Sequence, residues 1–282
     1  MNIMNCETNY AYEERYVAYF DLLGWEGAIK ENPDNPSKKV LEAINIIKKT
    51  AILSYKSIFE YAIISDGIII SCPSKNESLI NNMGSIGNVC RELLAKGFLC
   101  RGGLTRGKCF HKGNIIFGPA INRVVTLEKE AKNPVILCDN KLNSIIEKNI
   151  YEYPYTSNIG PLFVSNLSMK SLIDEMNCKY ILNLFPSSIN RQEKKWNHDN
   201  KIQDIIEIRK KIENNINQFS NDEEIIKKWK FAKALVECQL SKKLHDIFWK
   251  NEEIHYNRKE LENFHQRFQK MQKSECLSPS YD

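Results

Sequence analysis

No glycine follows Gly160, and eleven of the twelve stand at or before Gly118. Glycine marks tight turns and places where backbone approaches something closely. The first part of the chain is therefore expected to hold the turns, and the last part to be long helices. No apolar run of about 18 or more residues exists, so no membrane-spanning helix is expected. The N-terminal MNIMNCETNYAYEERY has no basic segment followed by an apolar core, so no secretory signal is expected. Nine cysteines are scattered as Cys6, Cys72, Cys90, Cys100, Cys109, Cys138, Cys178, Cys238 and Cys276, with no CxxC pair. An odd, unpaired set argues against zinc and disulfide frameworks and predicts reduced thiols in a cytoplasmic protein. GxxxxGK[ST], HExxH and GxSxG are also missing, which removes P-loop, zincin and hydrolase-elbow chemistry. Net charge is +5, from 40 Lys and Arg against 35 Asp and Glu, and the lysines are spread over the helical half. Spread charge is not a nucleic-acid footprint, so neither a nucleic-acid nor a membrane partner is expected.

What is present fits a globular chain: 282 residues, 42% hydrophobic and 27% charged, enough for about two domains. Residues 16–22 (YVAYFDL) read as a buried central strand that LLGWEG breaks. Residues 36–55 carry Val40, Ile44, Ile47, Ala51 and Tyr55 at helical spacing behind Pro36 and Ser37. The β-branched runs 58–64 and 67–72 flank Ser65-Asp66-Gly67, a hairpin signal. A second helix is predicted over 76–96, a strand over 98–105, another strand or a hairpin over 108–117, a helix over 119–132 opening on Pro119, and a strand over 134–138. This β-α-β-β-α-β order with an extra α-β predicts an α+β, ferredoxin-like fold, in which an antiparallel-rich sheet carries helices on one face. Residues 140–200 offer two strands, 161–165 and 179–185, beside a polar stretch. Beyond residue 200 three apolar stripes predict helices: Ile202 to Phe219, Ile225 to Phe248, and Ile254 to Met271.

Two carboxylates stand out. Asp21 ends the apolar strand, where a charge is costly unless it is paired or bound to a metal. It either caps the turn through Gly24 or serves a site. Asp66 sits in an Asp-Gly pair of the kind a tight hairpin prefers in any case. In a β-α-β-β order the end of the first strand lies beside the tip of that hairpin. Two carboxylates there, with no lysine or arginine between them in the local pattern, repel each other. A divalent cation relieves the repulsion, and carboxylates with a backbone carbonyl suit Mg²⁺ or Mn²⁺. Backbone amides of the Gly24-Trp25 turn could then hold phosphate oxygens.

At this point the first 140 residues resemble the catalytic domain of the class III nucleotidyl cyclases, the adenylate and guanylate cyclase family. Four motifs carry the resemblance. Tyr19-Phe20-Asp21-Leu22-Leu23-Gly24-Trp25 matches the family's first metal strand, and Asp66 follows Asp21 by 45 residues. Arg101-Gly102-Gly103-Leu104-Thr105-Arg106-Gly107 matches an R-x-G strand. Phe117-Gly118-Pro119-Ala120-Ile121-Asn122 matches the family's aromatic-Gly-x-x-hydrophobic-Asn segment, which opens a helix. Leu127-Glu128 and Pro134-Val135-Ile136 follow in order. The resemblance implies a lyase that makes a cyclic nucleotide, with two Mg²⁺ or Mn²⁺ ions held by Asp21, the Leu22 carbonyl and Asp66. It further implies that Leu23, Gly24, Trp25 and Thr126 contact the nucleoside triphosphate, and that Asn122 orients its ribose. A homodimer with sites at the interface is implied as well.

The match has departures. Position 126, where the family helix usually has an arginine, is threonine. Arg123 lies on a different helical face, so three readings stay open: low activity, Arg101 or Arg106 supplying the charge, or a catalytically inactive cyclase-derived module that binds a nucleotide or a partner. The positions that read adenine in adenylate cyclases fall at about Ala62 and Ile115, neither of them a purine reader. With the helical C-terminal half, this makes the chain similar to the bacterial antiphage cyclases of the Pycsar type, which make cyclic CMP or cyclic UMP. The glycine pair Arg101-Gly102-Gly103 also has a plain reading, close packing of strand or helix. The expected division is a cyclase-like domain over 1–190 and a helical extension over 191–282.

Overall fold

The computed structural model describes residues 10–31, 33–53, 59–74, 78–152, 163–165, 178–182, 184, 189–190, 195–196, 198–219 and 222–249. The first strand is β1 (Glu13–Leu23), followed by α1 (Trp25–Lys30), α2 (Lys38–Leu53), β2 (Glu60–Ile64), β3 (Gly67–Pro73), α3 (Ser78–Ala95), β4 (Leu99–Lys112), β5 (Ile115–Phe117), α4 (Pro119–Glu130) and β6 (Ile136–Cys138). A short 3₁₀ turn (Asn140–Leu142) leads to α5 (Asn143–Glu152), then β7 (Phe163–Ser165), β8 (Tyr180–Leu182), β9 (Ile189–Asn190), β10 (Lys195–Trp196), α6 (His198–Gln218) and α7 (Glu223–Trp249).

The main sheet runs β2-β3-β1-β4-β6-β8-β7, with β5 folded back on β4. Every pairing in it is antiparallel except β4 with β6. The fold is α+β with a mostly antiparallel sheet, and its β2-β3-β1-β4 core is the ferredoxin-like arrangement. The central strands are apolar because both faces are covered. Val17, Ile69, Cys109, Ala120 and Val124 form one buried cluster, which seats α4 on the face that also carries Tyr19 and Asp21. Ala18, Phe20, Leu22, Ile68 and Leu104 alternate to the opposite face and are buried, where α3 meets β3 and β4. Helices on one face only, as the element order suggested, is thus corrected: α4 closes the second face.

The α4 face is polar at the far end of β1. Arg15 donates to Ser71 Oγ at 2.9 Å, and that hydroxyl meets His111 Nδ1 at 2.7 Å. Burial pushes His111 down to about 4, so the imidazole is neutral at physiological pH.

Local readings shift in places. The strand expected over 98–105 runs on as the 14-residue β4, and the hairpin alternative for 108–117 holds, since the three-residue β5 folds back antiparallel on the end of β4. The segment read as a break after β1 forms α1, because Gly24 takes φ +94 and turns the chain into a helix. α5 was hidden in the mixed stretch. The run expected from residue 58 is strand from Glu60, the strand over 161–165 is described from Phe163, and that over 179–185 spans Tyr180–Leu182. The third apolar stripe, Ile254 to Met271, lies outside the described residues.

The chain divides into two compact units, residues 1–169 with 175–195 and residues 170–174 with 196–282. In the second, α6 buries Ile205, Ile208 and Ile212, and α7 buries Trp229, Ala232, Leu235 and Val236. Arg209 of α6 pairs with Glu237 of α7 at 3.1 Å, and Lys233 pairs with Glu213 at 3.0 Å.

Candidate functional site

The site forms where β1 ends. The Leu22 amide donates to the Asp66 carbonyl at 3.0 Å, which pins the β2–β3 turn to the end of β1. The turn residues are Ser65 and Asp66, since Gly67 already pairs with Ile64 as part of β3. Ser65, rather than a glycine, carries the positive φ of +58. Gly67 has a different task. A Cβ there would stand 3.0 Å from the Tyr19 ring and 3.1 Å from its hydroxyl, so glycine lets Tyr19 lie across the hairpin.

Tyr19, Asp21 and Arg101 share one sheet face. The Tyr19 hydroxyl donates to Asp21 Oδ1 at 2.7 Å. Arg101 is the register partner of Asp21 on β4, and its Nη2 lies 3.6 Å from Asp21 Oδ2. The local pattern holds no lysine or arginine between the carboxylates, but pairing across strands brings in Arg101, one of the two arginines offered for the missing charge. The same Nη2 lies 2.5 Å from Oε1 of Glu128, a buried residue of α4.

The glycines after Arg101 make this convergence possible. A Cβ at Gly102 would sit 2.1 Å from the Tyr19 carbonyl oxygen, and one at Gly103 would sit 2.4 Å from Leu127 Cβ. Their absence lets β1 and α4 close in on both sides of Arg101. The packing reading of this motif holds, and packing is what builds the site.

The charge balance is negative. Glu128 is raised by burial first, with Arg101 opposing and the Asp21 charge adding to the rise. The Tyr19 phenol is pushed well up, first by burial, then by its hydrogen bond to Asp21 and by the charges of Asp21, Glu128 and Asp66. Three carboxylates thus act on one phenol, against one guanidinium. Among the described residues no three His, Cys, Asp or Glu side chains gather as a ligand set. Hard oxygens from Asp21 and Asp66, with a backbone carbonyl, nevertheless suit Mg²⁺ or Mn²⁺ better than softer metals. The excess negative charge at Tyr19 fits a cation.

The remaining residues fall around this centre. Gly24 begins α1, accepting from Ala28 N at 3.1 Å, and is exposed. Leu23 is half-buried opposite Leu99. Trp25 sends its indole into the core against Phe98, ring centroids 5.7 Å apart, so only its backbone could meet a ligand. Asn122 and Thr126 lie on the exposed stripe of α4, one turn apart, and Thr126 Oγ1 donates to the Asn122 carbonyl at 2.9 Å. Arg106 is exposed and 3.6 Å from Glu14. Ala62 is buried in β2, and Ile115 is exposed on β5.

Arg123 is a brace. Its Nε and Nη2 reach the two carboxylate oxygens of buried Asp139 at 3.2 and 3.3 Å, and Thr105 donates to Asp139 at 2.6 Å. Burial works against that carboxylate, but Thr105 and Arg123 outweigh it and hold its pKa low. Arg123→Ala strands the carboxylate and is expected to cost about 2–3 kcal/mol, less than a wholly buried pair because the guanidinium is partly exposed. Since the folded pKa is depressed, the pair stabilises above the carboxylate's unfolded value and fades as pH falls through the folded one. Urea midpoints of the two proteins should therefore differ at neutral pH and converge in acid.

Tyr19 and Glu128 stand at the candidate site although sequence reasoning left them without a role. The signal for Tyr19 was its place two residues before Asp21, hence on the same face. Glu128 was visible as part of Leu127-Glu128, but nothing local tied it to Arg101.

No protein-family model matches the chain, and no curated protein matches its sequence. Among solved structures the chain is similar to a class III adenylyl cyclase-like ATP-binding protein from Pseudomonas aeruginosa, at 11% identity and TM-score 0.36 over 46% of this chain. It spans only 34% of that protein's length. It is also similar to an adenylate/guanylate cyclase/hydrolase from Silicibacter pomeroyi, at 10% identity and TM-score 0.39, over 61% of this chain and 97% of the other. Neither likeness assigns a residue role here.

Proposed function

We propose that the chain is a nucleotidyl cyclase. In this reading the ribose 3′-oxygen of a nucleoside triphosphate bonds to the α-phosphorus, the bond to the β-phosphate oxygen breaks, and pyrophosphate leaves. The 3′-hydroxyl proton goes to solvent. The observation that carries the reading is the Leu22 N to Asp66 O hydrogen bond, which keeps Asp21 and Asp66 at one end of the sheet. Asp21, the Leu22 carbonyl and Asp66 would hold two Mg²⁺ or Mn²⁺ ions. Such ions, when bound, lower the pKa of the attacking hydroxyl and neutralise triphosphate charge.

The chain's own residues do the positioning. The Tyr19 hydroxyl fixes the direction of Asp21. The Gly24-Trp25 turn offers backbone amides to phosphate oxygens, beside Leu23. Asn122, exposed on α4 with Thr126, orients the ribose of a site completed by a second copy, so the working form is a homodimer. Arg101 stays in the site through Asp21. The absence of a polar side chain at Ala62 and Ile115 supports a pyrimidine substrate, hence cyclic CMP or cyclic UMP, and with it a role in bacterial antiphage signalling. Residues 1–190 would be the catalytic domain and 191–282 a helical extension.

One observation favours a second reading, a cyclase-derived module that binds a nucleotide without turning it over. Thr126 spends its hydroxyl on its own helix, so nothing at that position stabilises charge on the phosphate. Incubating the purified protein with each of the four triphosphates and Mn²⁺, and measuring pyrophosphate and cyclic product, separates the two. Cyclic product from at least one triphosphate supports the cyclase. Binding with no pyrophosphate from any of the four supports the module.

A further inference from the structure

Arg101 stands between two carboxylates and is held unequally by them. Its Nη2 is 2.5 Å from Glu128 and 3.6 Å from Asp21. The contact with Glu128 is close and runs through Nη2 alone, while Arg101 Nε has no hydrogen-bond partner among the described residues; Glu128 also acts on Asp21 directly. This is a guanidinium caught between two positions, not one locked in a fork. The side chain keeps 28% of its exposure, which leaves it room to re-aim, whereas the Glu128 side chain keeps only 7% and is fixed on α4.

Asp21 and Arg101 are directly opposite on neighbouring strands. Such a pair could close into a two-pronged arginine–carboxylate bond, and that bond would occupy the oxygens a divalent ion needs. Glu128 draws the guanidinium the other way. Gly103 is the feature that gives Glu128 its reach, since any side chain there would push Leu127 and α4 off the sheet.

We propose that Glu128 is a positioning residue that holds Arg101 partly off Asp21, and so sets the divalent-cation affinity of the site. The pair acts as an internal counter-ion. With no metal, Arg101 shields Asp21. When an ion arrives, Glu128 receives the displaced guanidinium, so the buried charge is never left unpaired. The inference rests on the reading of Asp21 as a metal ligand.

Mn²⁺ titration of the full-length protein, read by the loss of free-Mn²⁺ electron paramagnetic resonance signal, tests it without any turnover. Glu128→Gln keeps the shape but releases Arg101 to Asp21, and should weaken Mn²⁺ binding about tenfold or more, as an added cation beside a carboxylate does. Arg101→Gln should tighten binding. In the Arg101→Gln background the loss caused by Glu128→Gln should shrink by several-fold, leaving only the direct influence of the Glu128 charge on Asp21. If Arg101→Gln does not fold, Arg101→Lys, which keeps the charge but cannot form the fork, should likewise shrink the effect of Glu128→Gln. Wild-type affinity in Glu128→Gln, or an equal loss with and without Arg101, overturns the inference while leaving Asp21 as a metal ligand. A wild-type protein that binds no Mn²⁺, with or without a triphosphate, overturns both.

Discussion

Asp21→Asn should leave a folded protein whose cyclic-nucleotide synthesis falls about a thousandfold or more, the loss of roughly 4 kcal/mol of metal-dependent stabilisation. The amide keeps the side-chain shape and can still accept from the Tyr19 hydroxyl, now 2.7 Å from the carboxylate. What it loses is the charge that would hold a cation. Stability should change little, because the ion pair with Arg101 is long, 3.6 Å, and the guanidinium keeps Glu128 as its closer partner. A thermal melt beside the activity assay separates loss of charge from loss of fold. Turnover within tenfold of wild type would remove Asp21 from the chemistry.

Gly103→Ala should strongly destabilise the fold. The added methyl would stand 2.4 Å from Leu127 Cβ and 3.0 Å from the Val124 carbonyl, both on α4. Backbone cannot swing aside as the end of a side chain can, so the whole helix must lift from the sheet. Overpacking of this kind costs about 3 kcal/mol, read as a lowered denaturant midpoint. Lifting α4 also withdraws Glu128 from Arg101 and shifts Asn122, so activity should fall even well below the melting temperature. An alanine variant as stable and active as the wild type would show that α4 does not need its close seat on β4.

The parts of this fold that are local in origin were legible. An apolar run ending in Asp21 reads as a central strand, Ser65-Asp66-Gly67 reads as a turn, and Pro119 reads as a helix start. The residue pair Asp21 and Asp66 followed from element order alone, because β1 and the β2–β3 hairpin are neighbours in a β-α-β-β arrangement. What stayed hidden depends on register and on close approach. Asp21 faces Arg101 only because β1 and β4 pair as they do, and Glu128 reaches Arg101 only because Gly103 has no side chain. Arg123 is bound to Asp139, sixteen residues away across a helix and a strand. β4 runs unbroken past residue 105 and through Gly107, where an added Cβ would face Ala120 at 3.5 Å. Gly67 was read for its turn and serves Tyr19 instead.

The central claim is that Asp66 is a ligand and not merely a turn residue, and Asp66→Asn tests it most directly. Asparagine suits a tight turn as well as aspartate does, and the carbonyl that accepts from Leu22 is backbone and survives. A residue kept for its turn alone would tolerate the change. The measurement is cyclic product formed from the preferred triphosphate with Mn²⁺, by wild type and by Asp66→Asn, with melting temperatures taken on the same samples. The account predicts equal melting temperatures and cyclic product from the wild type alone. Equal melting temperatures with equal product would contradict it.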